Sequence, residues 1–218
     1  TVSTPTWIES LTVTVGNKEG DLIGATDKVI QAAVDYAADR GGGTVQLAPG
    51  EYRLRNAIFL KPQVRLCGGG PETVLIKEAS VETTLAEDSD WYDQEITLAN
   101  PDGFRVGDGV CLITEDPATK AREVVKRTLI ARSGDRFKLD KALRRNYWRE
   151  TKPLVATLFP MLTAEEAEDL VIENLTLDGN RANNGNLDGN YAGCIWLQDC
   201  RRVRIHGVTA RSYNGDGI

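Results

Sequence analysis

Two stretches of the sequence, EDLVIENLTL (residues 168–177) and RRVRIHGVTA (residues 201–210), superpose when one is shifted by thirty-three positions. The shift aligns apolar residues with apolar residues and threonine with threonine: Leu170 with Val203, Ile172 with Ile205, Leu175 with Val208 and Thr176 with Thr209. Each stretch alternates apolar and polar residues on both sides of an Asn or Gly, which is typical of a strand, a sharp bend and a second strand. Such units indicate a solenoid, in which each coil completes the core of its neighbours.

Shorter runs earlier in the chain show a similar pattern. GTVQLAPGEYRL (residues 43–54), AIFLKPQVRLCGGG (57–70) and TVLIKEA (73–79) are β-rich runs separated by Pro-Gly, Lys-Pro and Gly-rich turns. Because the turns between them leave no room for crossover helices, the runs indicate either hairpins or a solenoid. The later repeat favours the solenoid, and the Asn- and Gly-rich stretch 178–193 is then a loop added to one coil.

One segment, DLIGATDKVIQAAVDYAADRGGG (residues 21–43), has helical periodicity. Thr26 is placed to cap the helix, and the glycines at 41–43 are placed to end it. Its predicted buried face consists of small and β-branched residues, namely Val29, Ile30, Ala33, Val34 and Ala37. We expect this face to cover the open end of a sheet.

Residues 80–152 interrupt the repeat. EITLANPDGFRVGDGVCLIT (residues 95–114) and RTLIARSGDRFKLDKAL (127–143) combine strand-like runs with Asp-Gly turns, which predicts a small meander. The predicted organisation is therefore an N-terminal segment with the helix and first coils at 1–79, an inserted β-rich subdomain at 80–152, and further coils at 153–218.

The net charge of −6 is unevenly distributed. Residues 120–152 contain twelve Lys or Arg against four Asp or Glu, whereas the remainder contains fourteen basic and twenty-eight acidic residues. The basic segment also contains Trp148, within RRNYWRE (144–150). One interpretation is a solvated surface of the insertion, and the other is a binding surface for an anionic chain. Nucleic acid is disfavoured because the acidic remainder would repel phosphate.

The hydrophobic content of 41% and the charged content of 27% are ordinary for a globular protein. No run of eighteen apolar residues is present, so no membrane span is predicted. The sequence begins TVSTPTWIES (residues 1–10), with neither an initiator Met nor a signal-peptide pattern. We therefore expect either a removed leader or excision from a longer protein.

The four cysteines match no metal-binding spacing, and no metal site is predicted. We expect Cys67, Cys111, Cys194 and Cys200 to be free and directed inward. Strand alternation places His206 outward, since Ile205 takes the inward position. The sequon at Asn174 lies at a predicted bend, where a stacked Asn side chain is the favoured interpretation over glycosylation.

DKVIQAAVDYAADRGGGTVQLAPGEYRL (residues 27–54), followed by VRLCGGGPETVL (64–75), resembles the N-terminal region of the pectate-lyase-like right-handed parallel β-helix superfamily. The superfamily includes rhamnogalacturonases, polygalacturonases, polysaccharide lyases, mannuronan epimerases and some phage tailspikes. The resemblance covers residues 20–79 and 153–218. It implies an all-β solenoid: a right-handed parallel β-helix with an N-terminal capping α-helix and an inserted small β meander.

The end of the sequence, VRIHGVTARSYNGDGI (residues 203–218), resembles the coil of polygalacturonases that ends in Asn-Thr-Asp-Gly-Ile, with Gly215 in place of Thr. The resemblance implies that Asp216 is a catalytic carboxylate. Asp178 lies one coil earlier in the predicted register and is the candidate for its partner. Coils stack about 4.8 Å apart, and inverting glycoside hydrolysis requires carboxyl groups about 6.5–9.5 Å apart. The alternative is that both residues serve only as Asp-Gly turn residues.

Five predicted substrate-binding residues surround these carboxylates: Asn214, Tyr213, Arg181, Asn183 and Asn184. The sixth, Trp148, belongs to the basic segment. The stretch from Leu175 to Arg181 also resembles mannuronan epimerases. However, Gly217 and Ile218 stand where those enzymes have Pro-His. The lysine of the epimerase loop is also replaced, with Asn186 as the nearest residue, so the epimerase hypothesis lacks two of its catalytic groups.

The resemblance implies the N-terminal part of a carbohydrate-active enzyme, a glycoside hydrolase acting on a uronate-containing, pectin-like polysaccharide. A polysaccharide lyase or epimerase is the nearest alternative, and a non-catalytic polysaccharide-binding or tailspike-like structural β-helix is the alternative of a different class. No cofactor is predicted, and calcium is the possible exception for a lyase. The expected partners are the polysaccharide and either further C-terminal coils or an associating chain at the open end, without nucleic acid or membrane. The expected location is secreted or periplasmic.

Overall fold

A computed structural model describes residues 9–116 and 119–218 of the chain. Residues 1–8, on which the expectation of a removed leader depends, lie outside the described residues. In chain order the elements are β1 (Thr12–Gly16), β2 (Leu22–Ile23), α1 (Asp27–Asp39), β3 (Gly43–Leu47), β4 (Gly50–Leu54), β5 (Ile58–Phe59), β6 (Val64–Cys67), β7 (Thr73–Lys77), β8 (Glu82–Thr84), β9 (Glu95–Thr97), β10 (Gly109–Glu115), β11 (Arg122–Ser133), β12 (Arg136–Leu139), β13 (Leu154–Ala156), β14 (Leu162–Glu165), β15 (Val171–Asp178), β16 (Ile195–Gln198) and β17 (Arg204–Arg211). Short 3₁₀ turns occupy Arg149–Thr151, Arg181–Asn183 and Asn190–Ala192.

The strands outside the insertion pair in parallel. One sheet runs β2-β1-β3-β6-β15-β7-β4 with β17 beside β15, and a second runs β16-β14-β5. β6 and β7 pair with the first and second halves of β15, so they occupy one coil of the stack and β15 the next. The chain is thus an all-β protein with parallel coils, and the prediction of a parallel β-solenoid is confirmed over this part.

The thirty-three-residue offset in the sequence is the register between two coils. Ile172 pairs with Ile205 and Leu175 pairs with Val208 in the parallel alignment of β15 with β17. The predicted bend is also present. Asn174 and Gly207 have φ angles of 56° and 62°, in the left-handed region, which bends each strand at this position.

The main core lies between the sheets and α1. The inward positions of β15, among them Ile172, Leu175 and Leu177, are fully buried, whereas the outward His206 of β17 is exposed, as predicted. On β17 the inward Ile205 and Val208 are only partly buried. These strands therefore bury apolar side chains on one face and leave the other for solvent or for loops.

The helix α1 contributes to the same core through Ile30, Ala33, Val34 and Ala37, all of which were predicted to face inward. It ends where the glycines begin, since the Gly42 amide donates to the Ala37 carbonyl at 3.0 Å. Thr26 stands at the N-cap but makes no side-chain capping hydrogen bond. Its backbone is instead extended and bridges to Arg53, which ties the start of the helix to β4.

Between β7 and β14 the chain leaves the coils and forms a six-stranded antiparallel sheet, in the order β8-β13-β10-β11-β12-β9. The strand of this sheet that comes last in the chain, β13, lies beyond residue 152, the predicted end of the insertion. The sheet has its own core, which includes Phe104, Leu129, Phe137 and Tyr147. A third apolar cluster joins Cys111 and Ile113 of β10 to Leu187 and Ala192, in the loop between β15 and β16. The insertion and this loop therefore pack against each other beside the coils.

The four cysteines, all within the described residues, are free, and Cys67, Cys111 and Cys194 are buried, as expected. In the described part of the chain no helix has the length and apolar character needed to cross a membrane.

Candidate functional site

A cavity of about 420 Å³ lies between the insertion and the outer face of the β5-β14-β16 sheet. We call it the inter-layer cleft, and the residues that define it are Phe59, Lys126, Thr163, Glu165, Tyr191 and Trp196. Its size is within the range typical of small-ligand sites. Aromatic, hydroxyl and charged groups therefore meet in one recess at the junction of two layers.

Strand alternation explains why polar and aromatic groups face this cleft. Ile58, Leu162 and Ile195 face the core and are at most 1% exposed. The residues that follow them, Phe59, Thr163 and Trp196, align across the three strands on the opposite face. The parallel register thus builds a row of one hydroxyl between two aromatic rings.

Lys126 of β11 reaches across the cleft to this row. Its Nζ lies 3.4 Å from the centroid of the Trp196 ring and 3.3 Å from Glu165 Oε1. Burial lowers the pKa of Lys126, while Glu165 opposes that effect. The Tyr191 ring meets Trp196 edge to face, with centroids 4.5 Å apart. These contacts fix the indole in position and place a cation over one of its faces.

The Thr163 hydroxyl makes no hydrogen bond to any described residue, although Thr163 is only 4% exposed. A buried hydroxyl without a partner is unfavourable and is rare in native proteins. Thr163 lines the cleft, but its hydroxyl oxygen is almost fully covered, so a ligand reaches it only if the side chain rotates.

Three further basic residues line the cleft, and they differ in availability. The Arg127 guanidinium donates to the backbone carbonyls of Lys126, Lys141 and Ala142, so its role is structural. Lys141 and Arg144 are exposed, and neither forms an ion pair within residues 9–116 and 119–218. These two cations can therefore receive an anionic ligand.

Asp178, predicted to be catalytic, lies at the end of β15 in register with Arg211. Its Oδ2 accepts a hydrogen bond from Arg211 Nε at 2.8 Å, and its Oδ1 accepts one from the Asn180 amide at 2.9 Å. The side chain is 14% exposed. Both carboxylate oxygens therefore have partners. These hydrogen bonds fix the turn after β15, which we call the coil corner.

Asp216, the other predicted catalytic carboxylate, is exposed, and the described residues offer it no ion pair. Its amide donates to the Gly189 carbonyl at 3.0 Å, and the Leu187 amide donates to the Asn214 carbonyl at 3.0 Å. The segment after Asp178 thus runs beside the segment that leads to Asp216. Asp178 lies towards the start of this pairing and Asp216 towards its end. Asp216 has fewer side-chain partners than Asp178.

The predicted binding residues of the same corner fall into two groups. Arg181, Asn183 and Tyr213 are exposed and can contact a ligand. Asn184 and Asn214 are buried and belong to the corner itself, since Asn214 Nδ2 donates to the Asn184 carbonyl at 3.4 Å. Asn184 Nδ2 in turn donates to the backbone carbonyls of residues 78 and 180.

Trp148, the remaining predicted binding residue, is 41% exposed and lies on the insertion, away from the corner. It does not line the inter-layer cleft. The basic segment supplies Lys126, Lys141 and Arg144, among other residues, to the cleft lining, and its interpretation as a binding surface stays a prediction.

Sequence reasoning missed Thr163, Tyr191 and Trp196. A signal for Trp196 was present in IWLQ (residues 195–198), where alternation puts the indole on the face opposite Ile195. No sequence signal indicated Thr163, because its neighbours across the sheet are more than thirty residues away in both directions.

In comparisons with known proteins, neither a family model nor a curated protein matches this chain. Among solved structures, the A-module of mannuronan C-5 epimerase AlgE6 from Azotobacter vinelandii is 22% identical, with a TM-score of 0.45 over 88% of this chain and 35% of that one. The tailspike gp61 of Pseudomonas phage phi297 is 14% identical, with a TM-score of 0.36 over 84% and 34%. The Gp54 tailspike of Acinetobacter baumannii bacteriophage AP22, in complex with a capsular saccharide, is 15% identical, with a TM-score of 0.36 over 81% and 33%. The chain spans about a third of the length of each of these structures.

Proposed function

We propose that the chain is a carbohydrate-active β-helix protein that binds an acidic polysaccharide in the inter-layer cleft. The observation that carries the proposal is the row of Phe59, Thr163 and Trp196 facing Lys126 across a cavity of about 420 Å³. The proposal depends on this geometry and not on the solved structures named above.

Each part of the cleft matches one feature of a uronate chain. Pyranose rings present C–H faces that pack on aromatic rings, which Phe59 and Tyr191 supply. Their hydroxyl groups can pair with the Thr163 hydroxyl, which lacks a partner, once the Thr163 side chain rotates towards the cleft. Their carboxylates can pair with Lys141 and Arg144. A purely apolar ligand would leave the Thr163 hydroxyl without a partner and would displace water from Lys141 and Arg144 without pairing their charges.

Glycoside hydrolysis by Asp216 with Asp178 stays the predicted reaction, with lyase or epimerase chemistry as the alternative. Asp216 is exposed and without an ion pair in the described residues, which suits a group that must reach water or substrate. Asp178 is held by Arg211 and Asn180, which suits a positioning role better than proton transfer. A non-catalytic, tailspike-like binding protein needs only the cleft, and an assay for cleavage products separates the two classes.

The finer structural and biological predictions belong to this proposal as well. They are the right-handed winding of the coils, the capping role of α1, the 1–79, 80–152 and 153–218 division, and further coils or an associating chain beside β17. A secreted or periplasmic location also follows from a polysaccharide ligand and stays a prediction.

The test is equilibrium binding of polygalacturonate and alginate, measured by calorimetry or affinity electrophoresis. We expect Trp196→Ala and Thr163→Val to weaken binding about tenfold or more, a difference of about 1.4 kcal/mol. Tyr36→Ala is the matched control, because Tyr36 is an exposed ring on α1 outside the cleft. If the wild-type protein binds neither polysaccharide, or if the cleft variants bind as the control does, the proposal is wrong.

Assays on the same polysaccharides distinguish the reaction classes. New reducing ends without ultraviolet absorbance of unsaturated uronates support a hydrolase, whereas that absorbance supports a lyase. Binding without either product supports the non-catalytic class.

A further inference from the structure

A second cavity, of about 540 Å³, lies on the insertion beside the inter-layer cleft. We call it the outer pocket, and the residues that define it are Trp91, Glu123, Arg144, Arg145, Asn146 and Trp148. It contains Trp148, which the sequence already indicated as a binding residue. The proposed function does not use this pocket.

Two tryptophans stand in the outer pocket with much of their surface in water. Trp91 is 53% exposed and Trp148 is 41% exposed. Large aromatic side chains left exposed together commonly mark a binding surface rather than a packing defect. Their flat rings match the C–H faces of sugar rings, as the aromatic residues of the cleft do.

The backbone that carries these rings is fixed by short hydrogen bonds. The Trp91 amide donates to Asn146 Oδ1 at 2.8 Å. The Ser89 and Tyr147 backbones exchange two hydrogen bonds, of 3.1 Å and 2.7 Å. Because Tyr147 is fully buried in the insertion core, both tryptophans are attached to rigid structure. A rigid platform loses little conformational entropy when a ligand binds.

The charges of the outer pocket are mixed. Arg145 pairs with Glu123 at 2.5 Å, whereas Arg144 forms no ion pair within the described residues. Glu115, Asp116 and Glu150 also line the pocket, so four carboxylates stand against two arginines. This balance disfavours a chain of closely spaced phosphates, which requires a surplus of cations. It suits a glycan that places neutral sugar units on the two tryptophans and its carboxylates at Arg144 and in the cleft.

Arg144 lines both cavities, so the cleft and the outer pocket lie next to the same residue. We propose that they form one continuous path and that a single acidic oligosaccharide occupies both, with Trp91 and Trp148 as the outer subsite. This inference rests on the proposed function of the cleft. It adds that the ligand is a long chain and that one carboxylate of this ligand pairs with Arg144.

The test measures, by calorimetry, the affinity of the full chain for oligosaccharides of alternating uronate and neutral sugar units, from dimer to octamer. For the wild-type protein we expect affinity to rise with length well beyond the dimer. Trp148→Ala and Trp91→Ala should leave the dimer affinity within about twofold and weaken the octamer about tenfold. Arg144→Ala should weaken long oligomers by a similar factor, and Trp148→Phe, which keeps a flat ring, should retain most of the affinity.

Tyr36→Ala is again the control, and the melting temperature of each variant shows that it is folded. If no oligosaccharide of this series binds the wild-type protein, the proposed function itself is wrong. If the wild-type protein binds but its affinity does not rise beyond the dimer, or if folded Trp91 and Trp148 variants bind the octamer as the wild type does, only the continuous path is wrong.

Discussion

Arg55 and Asp108 form a two-pronged ion pair between the coils and the insertion. Arg55 Nε lies 2.7 Å from Asp108 Oδ1, and Arg55 Nη2 lies 2.7 Å from Asp108 Oδ2. The Asp108 side chain is only 2% exposed, and Arg55 also donates to Glu78 and to the Gly103 carbonyl. The pair joins a residue that follows β4 to the start of β10, so it fixes the insertion against the coils.

We expect Asp108→Ala to lower the free energy of unfolding by about 3 kcal/mol, because it leaves the Arg55 charge partly buried without its main partner. Arg136→Ala is the control. Arg136 pairs with Glu87 and Glu95 on the surface of the insertion, and its loss should cost less than about 1 kcal/mol. Urea denaturation of both variants measures the difference, and equal effects would contradict the structural role of the pair.

Lys77 is a fully buried cation whose Nζ donates to the Ala192 carbonyl at 2.6 Å. Burial lowers its pKa from 10.5 to about 8. Between these values the unfolded chain binds more protons than the folded chain, so the contribution of Lys77 to stability rises with pH. Burial also raises the pKa values of Cys111 and Cys194 from 9.0 to about 12 and about 11. Above pH 9 those thiols lower stability, which opposes the lysine.

Comparing the wild-type protein with Lys77→Met isolates the lysine, because the thiols contribute to both. The stability of the variant relative to the wild type should fall by about 1 kcal/mol from pH 8 to pH 9, as the buried amine of the wild type loses its charge. Lys138→Met, at an exposed position of β12, should show no such change. A stability difference independent of pH for Lys77→Met would show that Lys77 is not buried as a cation.

Asn174 makes the bend of β15 with a φ angle of 56° and stacks on Gly207 of the next coil. A Cβ on Gly207 would lie 2.6 Å from Asn174 Oδ1. We expect Asn174→Gly to change the free energy of unfolding by less than about 1 kcal/mol, and Asn174→Val to lower it by about 2 kcal/mol or more, because a β-branched residue is strained at this φ. Thermal denaturation distinguishes them, and equal stability of the two variants would contradict the bend.

Asp216 is the carboxylate on which the predicted hydrolysis depends. We expect Asp216→Asn to lower the rate of polyuronide cleavage at least about a hundredfold, with unchanged binding in the cleft. Asp188→Asn is the control, since Asp188 is an exposed carboxylate in the adjacent loop, and its rate should be close to that of the wild type. Cleavage by Asp216→Asn at the wild-type rate would assign the reaction to other residues.

Binding of the acidic polysaccharide should weaken as salt is added, because Lys141 and Arg144 are exposed cations. The screening length falls from about 10 Å at 0.1 M salt to about 3 Å at 1 M. Binding of a neutral polysaccharide of the same length serves as the comparison and should show little salt dependence. Salt-independent binding of the polyuronide would exclude a role for these cations.

The coil register was accessible from sequence because it repeats. The pairs Ile172–Ile205 and Leu175–Val208 are visible as a shift of thirty-three residues, and the bend follows from Asn174 and Gly207. The helix was accessible because its buried face recurs at helical spacing. Both are local or periodic patterns, which is the kind of signal that a single sequence carries.

The cleft was not accessible in the same way, because its parts come from distant segments. Lys126 lies on the insertion, Thr163 on β14 and Trp196 on β16, and only the packing of two layers brings them together. The pairing of Asp178 with Arg211, in contrast, could have been predicted from the sequence. The offset of thirty-three residues aligns the two residues directly. The Asp-Gly motif, however, indicated only the carboxylate of Asp178 and not Arg211.

The position of the insertion also bears on the order of folding. β15 must pair with β6 and β7 across the whole of the insertion, whereas β10 and β11 are joined by a short hairpin. Loop closure over a long, disordered segment is slow and entropically costly, and contacts between near neighbours form first. We therefore expect the antiparallel sheet to gain protection from amide hydrogen exchange before β15 docks. The insertion then folds first, and the later coils assemble against it.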